Sequence, residues 1–467
     1  MRLFYNSIIL LLFINIQTFS QSIQSPSEFL GYEIGTQFSR HSQVIDYFDY
    51  VSSKLPGNVI MEKYGETYER RPLYLTYISS KENINNIELI RKNNLRNAGV
   101  IDGISSTLNK DIAIVWLSYN VHGNESSSTE ASMKTLHLLL TENSKLLENT
   151  IVIIDPCINP DGRDRYANWY NQTVTIPYNT SSKSREHDEP WPGGRANHYL
   201  YDLNRDWAWV TQTESKSRLK MYNKWLPHVH VDYHEQGIDN PYYFAPAVEP
   251  YHEIISKWQR DFQKEIGKNN AKYFDQNGWL YFTKETFDLL YPSYGDTYPT
   301  YLGAIGMTYE KAGGGVAGLG ILNSENKILT LVDRVNHHTT TGISTVEISS
   351  INAKKLNDEF KLFFNSRSKT NNYILKGNDD KVQTLKKLLD AHEIIYSYGN
   401  QHKTSAYSYQ SNKNENIQTN VSDLIISTDQ PKGKLVDVLF EKNAKLSDSI
   451  TYDITAWSLP YAYGLEA

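Results

Sequence analysis

Four short stretches of this chain hold side chains suited to acid–base or metal chemistry: His122-Gly123-Asn124-Glu125, Asn159-Pro160-Asp161-Gly162, His234-Glu235 and Glu310. A catalytic zinc takes three protein ligands, typically His and carboxylate, and leaves its fourth position to water. His122 and Glu125, three apart in a turn, can face one ion. A third ligand must come from elsewhere, and His234 is the natural candidate. His230 and His234 stand four apart, which on a helix would make a metal pair. The neighbours argue against that helix, because Val229, Val231 and Tyr233 alternate with His228, His230, Asp232 and His234. That is the period of a strand. A His and a Glu three apart also occur together by chance, so the pair alone does not establish a metal site.

The elements around these residues give them a common place. Short apolar runs at 112–118, 151–154, 229–233 and 304–309 read as strands, and 129–140 and 216–225 read as helices. A helix over 40–53 and a strand–turn–strand over 59–78, broken at Gly65, come before them. Strands alternating with helices predict an α/β domain with a mixed, mostly parallel sheet flanked by helices. The four polar stretches all follow or close a predicted strand, and ligands of open α/β sheets bind beyond the strands' carboxyl ends. Other polar residues have plainer readings. Glu235 points to the opposite side of its strand from His234. Asp161 shapes a turn, since Asn-Pro-Asp-Gly is strong turn chemistry. Glu130 reads as a solvated residue of its helix, and Arg163 as solvated or ion-paired. The segment 168–198, rich in Asn, Thr, Ser, Pro and Gly, is a long loop, either a surface insertion or part of a site wall.

Length and composition bound the rest. With 467 residues the chain is expected to form more than one folded unit. After about residue 350 the pattern restarts, with 373–375, 381–389, 394–396 and 424–426 as strand, helix, strand, strand. This is part of a second α/β unit with no obvious chemistry of its own. The net charge of −6 argues against a nucleic-acid footprint, which leaves peptides and small molecules as partners. Residues 1–20 read as a signal peptide: Arg2 precedes a short apolar run, and Thr18-Phe19-Ser20 suits cleavage before Gln21. The expected location is therefore secreted or periplasmic, with no stable membrane insertion afterwards. Cys157 is the only cysteine, which excludes an intrachain disulfide.

His-Gly-Asn-Glu at 122–125, Asn-Pro-Asp-Gly at 159–162, Asp-Leu-Asn-Arg at 202–205 and a strand ending in Glu310 together resemble the zinc carboxypeptidase family, in its order and at similar separations. Gly65-Glu-Thr-Tyr-Glu-Arg-Arg-Pro72 resembles a strand–turn motif near the start of its catalytic domain. The resemblance implies a catalytic domain over 21–350, an incomplete further unit over 351–467, and one zinc per chain held by His122, Glu125 and His234. It implies that Asp202 receives the other ring N–H of His122. Glu310 would deprotonate the attacking water, and Arg195 would polarise the scissile carbonyl. Asn204 and Arg205 would grip the terminal carboxylate of a peptide substrate, and a mobile Tyr, Tyr291 in preference to Tyr294, would enter the site. The sequence departs from the family at Ser126-Ser127-Ser128 and at Glu235-Gln236-Gly237, which reshapes the pocket wall. The function implied is removal of C-terminal residues from peptides. An amidase or deacylase on the same scaffold, or an inactive peptide-binding module, is the alternative.

Overall fold

The computed structural model describes residues 23–106, 110–366, 370–446, 451–452, 454 and 456–467. The expected signal peptide lies outside the described residues. Eight strands form the central sheet: β1 (Val59–Glu66), β2 (Pro72–Ile78), β3 (Ala113–Tyr119), β4 (Thr150–Asp155), β5 (Val229–Gln236), β6 (Tyr242–Tyr243), β7 (Tyr281–Phe282) and β8 (Ile305–Ala312). They lie in the order β1-β2-β4-β3-β5-β8-β6-β7. The inner four, β4, β3, β5 and β8, are mutually parallel, while β1, β2 and β6 join antiparallel to their inner neighbours. The sheet is therefore mixed with a parallel centre, as the alternation of elements predicts.

The inner strands are buried on both faces, and their residues alternate between two cores. Val115, Leu117, Val152 and Ile154 meet Val44, Leu136, Phe262 and Val346, from helices His41–Lys54, Ser127–Leu140, Lys257–Asn277 and Leu331–Ile351. Ile114, Trp116, Ile151 and Ile153 face the other way, towards Ile90, Leu219 and Phe360 from helices Ile87–Asn97, Thr213–Trp225 and Ala353–Asn365. In β5, Val229, Val231 and Tyr233 enter the first core. His230, Asp232 and His234 therefore occupy the second face, which is how a strand and not a helix carries the histidines.

Three local expectations change. Asn159-Pro160-Asp161-Gly162 opens the helix Pro160–Thr173 instead of forming a free turn: Asn159 Oδ1 caps it by accepting from Gly162 N at 3.0 Å, and Pro160 sits in its first turn. Glu130 is not solvated. It is sealed inside, where Ser39 N donates to it at 2.7 Å and the Arg163 guanidinium pairs with it at 2.5 Å. The strand expected at 394–396 begins at Ser397, because Glu393 adopts φ 54° and Ile394 turns into the core.

The C-terminal unit holds a three-stranded antiparallel sheet, in the order Asn372–Leu375, Leu424–Ser427, Ser397–Tyr398. A separate hairpin, Lys403–Ser408 with Lys413–Gln418, and the helices Asp379–Ala391 and Gly433–Phe440 accompany it. Leu385, Leu389, Leu435 and Leu439 join Trp116 and Trp225 in one continuous apolar core. The unit thus packs on the same sheet face that carries His234. Among the described residues no helix is long and apolar enough to cross a membrane.

Candidate metal and peptidase site

His122 and Glu125 lie on the loop after β3, and one residue fixes that loop. Asn120, at φ 60°, donates through Nδ2 to the carbonyls of His122, Gly123 and Glu125 at 3.0, 3.3 and 3.1 Å. The turn therefore closes on an amide, and the two side chains emerge together. His122 Nδ1 lies 2.8 Å from Glu125 Oε1, and His234 Nδ1 lies 3.0 Å from Glu125 Oε2 and 3.2 Å from His122 Nδ1. The ligand atoms of these three buried residues all lie within 4.8 Å of one another.

The outer nitrogens explain why this cluster fits a metal ion. His122 Nε2 faces Asp202 Oδ1 at 2.9 Å, and His234 Nε2 faces Asp232 Oδ2 at 3.2 Å. Carboxylates there hold the ring protons on Nε2 and turn both Nδ1 lone pairs inward. Two imidazole lone pairs and a carboxylate converging on one point require a positive charge. Without a metal, protons supply it: burial opposes charge on His234, but Asp232 and Glu125 outweigh burial and hold the imidazole protonated well above its ordinary range. Burial likewise pushes Glu125 up, yet His122 and His234 hold it far below the usual carboxylate range. A divalent cation would displace these protons, as it does at histidine–carboxylate sites generally. His230 stays in the core between the rings of Trp116, Trp207 and Tyr222, and takes no part.

Close backbone approach brings the loop of Arg195 over the triad. A Cβ on Gly123 would stand 2.2 Å from Arg163 N, and one on Gly162 would stand 2.2 Å from Gly194 O. Only glycine permits such packing. Asn159 Nδ2 donates to Arg195 O at 3.1 Å, so the cap of one helix holds the loop. Arg195 then donates to Glu125 Oε1 and to Asp202 Oδ2, each at 3.0 Å, with its side chain still 49% exposed. Asp202 also accepts from Asn204 N at 2.9 Å. Burial raises the Asp202 carboxyl, but His122, Arg195 and Arg205 outweigh burial and keep it ionised well below its usual range. Asp161 bonds Thr67 Oγ1 at 2.7 Å and Arg71 at 2.8 Å, which ties the 65–72 turn to the same platform.

One cavity of about 150 Å³ joins His122, Glu125 and His234 to Arg195, Asn204, Arg205, Tyr294, Asp296 and Glu310. Glu310 lies opposite His234 in the β5–β8 register. Burial, above all, raises its carboxyl to about 8 in the metal-free protein; His234 opposes the shift and Glu125 adds to it. The Arg205 guanidinium lies over the Tyr294 ring, 4.5 Å from its centre. Tyr291 is not among the residues lining this cavity. Its hydroxyl accepts from Trp209 Nε1 at 2.6 Å and its ring packs against Trp457, whereas Tyr294 lines the cavity. Asp296 also lines the cavity, and burial raises its carboxyl to about 7.

Three contributors are absent from the sequence reading. Asn120 and Asp232 stand two residues before His122 and His234; for Asp232 a carboxylate inside an otherwise apolar strand was the available signal, while Asn120 follows β3 in the loop. The third, Tyr452, belongs to the C-terminal unit and also lines the cavity. Glu235 does point to the opposite face from His234, where it pairs with Arg334.

Among solved structures, a metallo-carboxypeptidase from Burkholderia cenocepacia matches at 15% identity and TM-score 0.47, covering 68% of this chain and 70% of that one. Thrombin activatable fibrinolysis inhibitor matches at 14% identity and TM-score 0.47, covering 72% and 79%. The sequence model for zinc carboxypeptidases matches residues 44–267, a stretch that contains the His–Glu–His triad and ends before Glu310. Over that stretch the chain is similar to zinc carboxypeptidases, and the His–Glu–His cluster within it could hold a metal ion.

Proposed function

We propose that the chain is a carboxypeptidase that hydrolyses the last peptide bond of peptides presenting a free C-terminus. The observation that carries this reading is the position of Arg205, which lines the same small cavity as the triad and Glu310. A carboxylate entering a partly dry cavity needs a charge partner, since burying it unpaired costs several kcal/mol. A cavity of about 150 Å³ suits one side chain beyond the scissile bond, being about the size that admits a benzene ring.

His122, Glu125 and His234 would hold one zinc ion, which when bound acts as a Lewis acid towards the carbonyl and the attacking water. The protein's own residues do the remainder. Glu310 accepts a proton from the attacking water as the C–O bond forms, and passes it to the leaving nitrogen as the C–N bond breaks. Arg195, half exposed and held only at its tip, turns its guanidinium to the carbonyl oxygen as charge develops there. Arg205 forms the planar partner of the terminal carboxylate. Asn204, whose Oδ1 is already taken by Gly295 N at 2.7 Å, offers its amide N–H beside it. Tyr294 replaces Tyr291 as the tyrosine of the site. The features of residues 1–20 support export, so the expected substrates are peptides outside the cytoplasm.

Arg205→Ala tests the reading. The variant should lose about 2–4 kcal/mol in kcat/KM on free-acid peptides, roughly thirty- to a thousandfold. Wild type should prefer a free-acid peptide over its C-terminal amide, and the variant should lose most of that preference. Equal wild-type rates on acid and amide would overturn the carboxypeptidase reading in favour of an amidase.

A further inference from the structure

We infer that the C-terminal unit supplies part of the substrate pocket, with Tyr452 as a wall that the terminal side chain of the substrate meets. The inference rests on the carboxypeptidase reading of the site and concerns its specificity.

Three rings line one side of the cavity. Phe287 and Tyr294 come from the segment before β8, and Tyr452 comes from the tail of the chain. The Tyr452 ring centre lies 5.4 Å from that of Phe287 and 6.1 Å from that of Tyr294, so the three form a continuous aromatic surface. Its backbone is tied down as well: Tyr452 N donates to Asp288 Oδ2 at 2.7 Å, and Asp288 lines the same cavity. Tyr452 as a whole residue is 46% exposed, so it stands at the pocket wall without itself being core.

The unit behind it is seated by contacts that water does not reach. His392 Nε2 donates to Ala208 O at 2.9 Å while its Nδ1 accepts from Tyr298 Oη at 2.7 Å. The Lys432 ammonium, buried, donates to Asn223 Oδ1 at 2.9 Å and to His392 O at 2.7 Å, and Asn223 Nδ2 donates to Ala391 O at 3.0 Å. Nearer the cavity, the Trp457 ring packs beside Tyr291 and its Nε1 donates to Val438 O at 2.8 Å. Buried polar pairs of this kind fix one docking geometry, because any shift would strand their donors and acceptors. Tyr452 is thus presented by a fixed neighbour. In so small a cavity a phenol on the wall sets which side chains fit.

The test compares wild type, Tyr452→Ala and Tyr452→Phe, each loaded with zinc, on free-acid peptides that differ only in the last residue, with Ala, Leu, Phe, Lys or Trp there. Tyr452→Ala should change the ratio of kcat/KM between bulky and small terminal residues by about three- to tenfold, carried mainly by KM, while Tyr452→Phe keeps the wild-type profile. Zinc content should match in all three. A merely structural role would lower all substrates by one common factor and leave the ratios alone, and that result overturns the inference. Calorimetric binding of benzylsuccinate, a dicarboxylate bearing one aromatic ring, reads the wall without turnover. Tyr452→Ala should weaken it about three- to tenfold, and unchanged affinity likewise overturns the inference. A wild-type protein that binds this probe but cleaves no free-acid peptide would defeat the carboxypeptidase reading, and the binding comparison would still decide the role of Tyr452.

Discussion

Replacing Arg334 with Met should weaken both the fold and the metal site, and the reason lies behind β5. Glu235 follows His234 and turns to the opposite face, where its side chain is sealed from solvent. There it accepts from Arg334 Nη1 at 3.0 and 3.3 Å, from Ser127 N at 3.1 Å and from the Ser127 hydroxyl. Its own N–H donates to Glu125 Oε2 at 2.9 Å. One residue therefore joins the long helix Leu331–Ile351, the start of the helix Ser127–Leu140 and the carboxylate of the metal triad. Met in place of Arg334 roughly fills the volume but leaves the Glu235 carboxylate buried without its cation, at about 3–5 kcal/mol. The double variant Glu235→Gln/Arg334→Met should recover most of that loss, because an uncharged amide can still accept from Ser127 and no ion remains buried. Urea unfolding of the metal-free proteins measures the stabilities, and competition with a chelator measures zinc affinity. The Arg334→Met protein should bind zinc about tenfold more weakly or worse, as partners that orient a metal ligand usually dictate. A loss below about 1 kcal/mol, with no recovery in the double variant, would refute the argument that the pair is a buried ion pair of consequence. Normal zinc affinity in a destabilised variant would refute the coupling to Glu125.

Chelation should abolish peptide hydrolysis and added zinc should restore it, while His234→Ala should bind zinc at least about tenfold more weakly. Glu310→Gln should keep wild-type zinc content yet lose about a hundredfold or more in turnover; unchanged turnover would move the proton transfer to another acid. Asp155, buried at the end of β4 and bonded to the Tyr64 hydroxyl at 2.8 Å, is raised to about 7, chiefly by burial. A carboxyl raised in the folded state lends stability below its unfolded pKa and loses it as pH rises through the folded value. Asp155→Asn should therefore gain stability relative to wild type between about pH 4 and 7, by up to about 4 kcal/mol. Urea midpoints that fall in parallel for both proteins over that range would contradict it.

What the sequence made legible was what periodicity and motif order report. Alternation placed His234 on a strand and turned Glu235 away from it, and both hold in the fold. The parallel centre of the sheet follows from strands separated by helices, since parallel neighbours need such crossovers. Periodicity names a face, however, and does not name the partner waiting on it. Glu130 looked solvated because nothing nearby in sequence shows that Arg163 and Ser39 arrive opposite it. Asn-Pro-Asp-Gly was ambiguous because Asn and Pro serve a turn and a helix start equally well, and the choice is made by Gly194, which packs on Gly162 where a turn would leave it exposed. Tyr291 and Tyr294 stand in one short loop, and no local rule separates them. Trp457 and Trp209 do, by occupying Tyr291 and leaving Tyr294 to the cavity. The same tail that packs on Tyr291 brings Tyr452 to the cavity wall, so the local ambiguity and the missing wall have one cause: the C-terminal unit packs on the face of the sheet that carries His234.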